Sequence, residues 1–354
     1  MTTLPTIRQL LLPELTFEFS KLGFAAFRAR QVYDWIWRKG ATTFEQMTDL
    51  PVKLRQQLTE TFLFPFVSVK SVETASDRTR KYLFSLHDGK VIEGVLIPSI
   101  HRNTICISSQ VGCQLACTFC ATGQLGFSRN LTFDEIFDQV RILNDECMSL
   151  FGKKVTNIVL MGMGEPLLNY EEVMKALTMI TKPDSLGFSP QRITISTAGI
   201  PDKIKQLGKE KLKYNLAVSL NAATDEKRNR IMPINRSQPL AKLYEAMKFY
   251  QKQTREIITL EYILLKGFND TYSDVRALAD FTKGLKVKLN LIEYNPVENV
   301  DFKRSSFNNL TYFKTLLEEY HFIVNIRNSR GKDISAACGQ LAGKNVKDKK
   351  ENLT

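Results

Sequence analysis

Histidine is scarce in this chain, with only His87, His101 and His321 in 354 residues. Acid–base chemistry or metal ligation built on imidazole is therefore poorly supplied. Tryptophan is scarcer, limited to Trp35 and Trp37. No apolar run approaches the roughly 18 residues of a membrane span. The start, MTTLPTIRQLLLPEL, has no basic flank leading into a long apolar core, which argues against a signal peptide. A cytoplasmic protein without membrane attachment is the expectation. Acidic residues are outnumbered, 37 against 49 basic, giving a net charge of +12. That surplus favours a polyanionic partner, nucleic acid or an anionic membrane surface, without choosing between them.

What is present divides into zones. Residues 1–62 have helical texture in LPELTFEFSKLGF, FRARQVYDWIWRKG and LPVKLRQQLTETF, and are read as a small accessory domain. Residues 63–98 turn β-rich, with an Asp88-Gly89 hairpin signal between RKYLFSL and KVIEGVLIP. They are read as a linker into the core. From 99 to 343 six short β-branched runs recur: NTICIS (103–108), NIVLM (157–161), RITIST (192–197), NLAVSL (215–220), ITLEYILL (258–265) and VKLNLI (287–292). Helical patterns lie between them; the first opens on Thr132 and Glu135, spaced as a capping box. Such alternation predicts an α/β fold with a parallel sheet, a partial (β/α)6 TIM-type barrel. Residues 344–354 are read as a basic flexible tail.

Polar residues gather just past the strand ends. Gly162-Met163-Gly164-Glu165-Pro166 follows the second run, Ser196 and Thr197 close the third, Ser219 and Asn221 the fourth, and Glu293 and Asn295 the sixth. In β/α barrels the loops at that rim converge over the mouth and build the site. In the N-terminal zone Arg28, Arg30, Arg38 and Lys39 mingle with Phe24, Tyr33, Trp35 and Trp37. That mixture suits either base stacking on RNA or, since Val32, Trp35 and Ile36 fall at helical spacing, core packing.

Four of six cysteines crowd into CISSQVGCQLACTFC, residues 106–120. Cys113, Cys117 and Cys120 are spaced C-x3-C-x2-C. A structural zinc with Cys106 as fourth ligand is one reading, although zinc frameworks usually bring two separated pairs. A [4Fe–4S] cluster with one iron free of protein ligands is the other. Cys147 lies on the apolar face of the helix that starts at 132 and reads as core.

The three cysteines, with Phe119 before the last, resemble the signature of the radical SAM superfamily. More specific are CISSQVGC, CTFCATGQLGFSRNLT, NIVLMGMGEPLLN, RITISTAG, RIMPIN, NLIEYNP and SAACGQLAG. Across about residues 90–343 they resemble the RlmN-type adenine C2-methyltransferases of rRNA and tRNA, relatives of the Cfr-type C8 enzymes. The resemblance implies a radical SAM barrel whose Cys113, Cys117 and Cys120 hold a [4Fe–4S] cluster. It implies S-adenosylmethionine (SAM) bound by Gly164, Glu165, Ser196, Ser219, Leu220, Asn221 and Asn295. Asn221 stands where many relatives have histidine, so only a backbone contact is expected there.

The implied product is an adenine methylated at C2, in the peptidyl transferase centre of 23S rRNA and beside the anticodon in tRNA. Carbon 2 lies between two ring nitrogens and is a bad nucleophile, so direct polar methyl transfer is implausible. The resemblance implies a detour using two SAM per methyl. Cys338 is methylated, loses a hydrogen atom to a SAM-derived radical and bonds to C2. Cys106 then resolves the adduct through a Cys106–Cys338 disulfide, and Glu93 accepts the C2 proton. A flavodoxin-like electron donor, a thiol reductant and a monomeric enzyme complete the expectation. The rivals are C8 methylation of the same rRNA adenine and a zinc-stabilised RNA-binding protein without catalysis.

Overall fold

In the computed structural model, residues 4–298 and 300–342 are described; the expected tail lies outside them. Three helices come first: α1 (Leu12–Lys21), α2 (Ala26–Trp37) and α3 (Val52–Thr61). An antiparallel meander follows, β1 (Ser68–Thr74), β2 (Arg80–Ser85) and β3 (Val91–Pro98), and then β4 (Asn103–Cys106). A short ribbon, β5 (Gln110–Gly112) and β6 (Phe127–Asn130), brackets the four-residue helix α4 (Ala121–Gln124). The remaining elements alternate: α5 (Phe133–Phe151), β7 (Asn157–Leu160), α6 (Tyr170–Thr181), β8 (Ile193–Thr197), α7 (Pro201–Glu210), β9 (Asn215–Ser219), α8 (Asp225–Ile231) and α9 (Leu240–Thr254). The chain continues through β10 (Ile258–Leu264), α10 (Tyr272–Thr282), β11 (Val287–Glu293), α11 (Phe307–Glu319) and β12 (Ile323–Arg327).

Ten of these strands form one sheet in the order β1-β2-β3-β4-β7-β8-β9-β10-β11-β12. From β4 to β12 every neighbouring pair is parallel. Among the described residues no pairing joins β12 back to β1, so the barrel is partial. All six expected runs are strands. A seventh parallel strand, β12, escapes the sequence pattern because IVNIR is short and half exposed. Residues 63–98 do more than link. Val95 pairs with Cys106 and Ile97 with Thr104, so the meander continues the barrel sheet directly.

Helices cover the outer face. The apolar stripe of α5, Phe133, Ile136, Phe137, Val140 and Cys147, is buried, and Glu135 accepts the Thr132 N–H at 3.0 Å to start the helix. Against this helix the N-terminal helices dock. Trp37 stacks on Phe133 at 5.6 Å and meets Phe137 edge-on at 4.9 Å. Core packing is thus the role of Trp37, while Trp35 is half-buried with its indole N–H on Asp49. Of the aromatics on α1 and α2, Phe17 and Phe27 are left exposed.

Beneath Trp37, Arg8 and Asp138 make a bidentate ion pair with both side chains 1% exposed. Asp138 also accepts the Val67 N–H at 3.1 Å. Removing one member of a buried pair strands the other, at a cost of about 3–5 kcal/mol. Arg8→Ala is therefore expected to lower the urea midpoint clearly. Tryptophan fluorescence would report it, since both tryptophans sit on α2. An unchanged midpoint would show that the pair does not hold this interface.

Candidate active site

The C-terminal ends of the parallel strands open into a cavity of about 920 Å³, its mouth included. Cys113, Cys117 and Cys120 edge it on one side. Their loop hangs between β5 and α4, and Thr118 donates its N–H to Ile231 O at 3.0 Å, which ties it to α8. Burial pushes the Cys113 thiol up to about 11 and raises Cys117 and Cys120 as well. Thiols so placed ionise only with a strong cation beside them. Among the described residues no three His, Cys, Asp or Glu side chains converge on a single-ion position. Three thiols spread around one cavity fit a multinuclear cluster that takes one thiolate per iron.

Opposite lies the turn after β7. Gly164 has φ +99°, and a Cβ there would meet Gln110 Cβ at 2.5 Å; at Gly162 it would meet Ile107 O at 2.6 Å. Both glycines let the turn press against the β4–β5 segment. Glu165 is 3% exposed and accepts the N–H groups of Leu167 (3.0 Å) and Ala198 (2.7 Å). Burial lifts its carboxyl to about 7, against the pull of those hydrogen bonds. Ser196, Ser219 and Asn221 line the same space. Asn221 sits at φ +58°, a left-handed conformation that asparagine tolerates. Its side-chain oxygen accepts the Ile263 N–H at 3.0 Å, so the amide is occupied in shaping the wall. Leu220 is fully buried in the core and does not line the cavity. Asn295 also stands off it, donating to Cys338 O at 3.4 Å, with its own Oδ1 buried and without a partner.

The C-terminal segment crosses the barrel mouth and is held at many points. Ala121 donates to Gly339 O at 2.7 Å and Thr122 Oγ1 to Leu341 O at 2.7 Å, fastening it to the cysteine loop. Lys81 Nζ reaches Ile334 O at 2.9 Å, and Ala342 N–H reaches Glu93 Oε2 at 2.8 Å. Cys338 is thereby suspended between the first cavity and a second one, which Cys106 lines from the end of β4. Burial pushes the Cys106 thiol up to about 12; the Cys338 sulfur adds to the rise and the Arg327 guanidinium opposes it. Neither cysteine is bonded.

Glu93 is elsewhere. It is 1% exposed on β3, paired with Lys81 at 3.3 Å, and faces a third cavity that neither Cys106 nor Cys338 lines. A solvent-facing strand glutamate, the ordinary reading of its sequence context, is excluded.

Sequence reasoning missed several residues. Arg228 is fully buried, donating to Leu220 O (3.1 Å), Asn235 Oδ1 (2.7 Å) and Ala198 O, so one guanidinium fixes two rim loops. Its signal was its place two residues before RIMPIN. Arg327 ends the unrecognised β12, touching Met161 Sδ at 3.0 Å and facing Glu261 at 3.7 Å.

A resting Cys106 held near 12 is ionised in only about one molecule in 10⁴ at pH 8. Its iodoacetamide labelling is therefore expected to run at least 100-fold slower than in the unfolded chain. The rate should climb about tenfold per pH unit up to pH 10, and Arg327→Met, which removes the opposing charge, should slow it further. Mass spectrometry of the Cys106 peptide reads this. Labelling as fast as in the unfolded chain would contradict the burial.

A partial parallel barrel with a three-cysteine loop at its mouth defines a radical SAM enzyme. Residues 107–282 match the radical SAM superfamily model, and residues 7–63 match the ribosomal RNA large subunit methyltransferase N-terminal domain. The chain is 49% identical over 341 residues to a protein of Cytophaga hutchinsonii described as a probable dual-specificity RNA methyltransferase RlmN, covering 96% of this chain and 93% of that one. It is 47% identical to the dual-specificity RNA methyltransferase RlmN of Geobacter sulfurreducens, over 97% and 94% of the two chains. A radical SAM methyltransferase from Sphaerobacter thermophilus superposes with a TM-score of 0.90 at 37% identity, covering 96% of this chain and all of that one. The chain belongs to the RlmN family of radical SAM methyltransferases. No helix among the described residues is long and apolar enough to cross a membrane.

Proposed function

We infer that this enzyme methylates carbon 2 of an adenine in 23S rRNA, at the peptidyl transferase centre, and in tRNA beside the anticodon. The observation that carries the mechanism is the position of Cys338, in the wall between the cysteine-edged cavity and the one lined by Cys106. A group that takes a methyl from one side and delivers it to the other belongs there.

Cys113, Cys117 and Cys120 would hold a [4Fe–4S] cluster, which when bound supplies the electron that splits SAM. Gly164, Glu165, Ser196, Ser219 and Asn221 would shape the SAM site, with Leu220 and Asn295 supporting it from behind. Cys338 Sγ takes one methyl, which loses a hydrogen atom to the radical derived from a second SAM. The methylene radical bonds to C2, and the adduct then gives up one electron, for which the cluster would be the acceptor when bound, together with the C2 proton. Cys106 attacks the Cys338 sulfur and breaks its bond to the methylene carbon, which leaves with the electron pair and takes a proton to become the methyl on C2. The disulfide left behind is reduced by an external thiol. Because burial keeps Cys106 a thiol at rest, its proton has to leave as it attacks. Glu93 is assigned the C2 proton. It opens on a different cavity from Cys106 and Cys338, with Ala342 N–H and Lys81 on its carboxylate. The C-terminal segment must therefore shift to let go of it and to join the two spaces, while Lys81 stays beside it.

Mass spectrometry of protein purified without oxygen tests the carrier: a methyl group on the Cys338 peptide is expected, and an unmodified Cys338 in active enzyme would end the reading. Mapping the methyl on rRNA from cells with and without the enzyme tests the position. A methyl at C8 would assign the Cfr-type reaction instead.

A further inference from the structure

We propose that the second cavity, on the Cys106 side of Cys338, is where the target nucleotide enters, and that Arg102, Arg330 and Ile100 form its RNA-binding rim. This rests on the reading of Cys338 as methyl carrier. The two cavities share the wall made by Met161, Ile292, Arg327 and Cys338. The first contains the cysteine loop and the Gly-Glu turn, so the acceptor has to come from the other side, where Cys106 waits. That second space takes in about 980 Å³ when its solvent-open mouth is counted, so a base extruded from RNA at the surface can approach Cys338 through it.

Its rim carries the chemistry of an RNA contact. Arg102 is exposed, and no hydrogen bond or ion pair occupies its guanidinium among the described residues. Arg330 is half exposed, with only a 3.7 Å approach to Asp77. Two guanidinium groups beside a cavity mouth suit phosphates flanking an extruded nucleotide. Between β3 and β4 the turn 99–102 is locked: Ser99 N–H reaches Arg102 O at 2.8 Å, and Ser99 Oγ accepts the Arg102 N–H at 3.1 Å. At its tip Ile100 is 89% exposed, the most exposed of the large apolar side chains. Folding gains nothing from that position. An apolar tip in the same turn as Arg102, held by the Ser99–Arg102 hydrogen bonds, fits the face of a base next to the flipped one.

The test uses holoenzyme and two probes, an in vitro transcribed tRNA and an rRNA fragment carrying the peptidyl transferase centre. Arg102→Ala combined with Arg330→Ala is expected to weaken RNA binding about tenfold or more. The slope of log Kd against log salt should fall by about 1.5–2. Ile100→Ser is expected to weaken binding roughly fivefold with the salt slope unchanged. A control pair outside the lining of this cavity, Lys252→Ala at the end of α9 with Lys286→Ala before β11, should leave both quantities near wild type. An unaltered slope in the arginine pair would overturn the proposal, as would an equal drop in the control pair. Absence of a methyl group on Cys338 in the wild-type enzyme would instead remove the carrier reading beneath it, so the two failures are told apart.

Discussion

Replacing Cys106 with alanine is expected to leave the enzyme tied covalently to its RNA. Once the Cys338 methylene has bonded to C2, only a sulfur nucleophile aimed at Cys338 can release the base. In this fold the thiol that shares a cavity with Cys338 from the far side is Cys106. It is 7% exposed, and until the RNA is released the adduct itself fills the approach, so an external thiol cannot readily take its place. Turnover should fall by about 10³-fold or more, while a protein–RNA band that survives denaturing electrophoresis accumulates. Cys338→Ala should abolish product and band together, because nothing then carries the methyl. A Cys106→Ala enzyme that releases methylated RNA at a near-normal rate would refute the resolving role.

The second large effect concerns the cysteine loop. Cys113→Ala is expected to remove nearly all bound iron and sulfide, from about four of each per chain, together with the brown absorption of the reconstituted protein. Cys113 is the informative choice. It is half-buried like its two partners, and its backbone N–H stays anchored to Gly126 O at 2.8 Å whatever the side chain. Loss of metal would then reflect a lost ligand and not a collapsed loop. Cys338 should be recovered unmethylated from the same variant. Retention of iron and sulfide at wild-type levels would sink the assignment. A colourless wild-type protein holding zinc would return the loop to a structural role.

Much of this is legible in the sequence. The six β-branched runs are strands because Val, Ile and Leu at that density, in a chain long enough to cover both sheet faces, have nowhere else to go. The capping pair Thr132 and Glu135 starts its helix where it stands, and Cys147 lies in the core as its helical spacing implies. The cysteine loop was legible because its members are local: a C-x3-C-x2-C spacing keeps three thiols within a few residues of one another whatever surrounds it. Less legible were β12, too short and too exposed to show a period, and the meander β1–β3, whose pairing with β4 depends on a partner outside its own segment.

The sequence by itself determined the barrel, the cysteine loop, the rim position of Gly164 and Glu165, and the kinship of the whole chain, since each of these is written in neighbouring residues. Only the tertiary structure decided how distant residues meet. It put Cys338 in the wall between two cavities with Cys106 behind it. It took Glu93 out of solvent and gave it to Lys81, turned the Asn221 amide onto β10, and brought Arg327 from an unrecognised strand to the two cysteines. Such placements follow from sheet order and from the path of the C-terminal segment across the barrel mouth. More than two hundred residues separate Cys106 from Cys338; the family resemblance pairs them, but no local pattern of side chains can place two residues on one cavity across that distance.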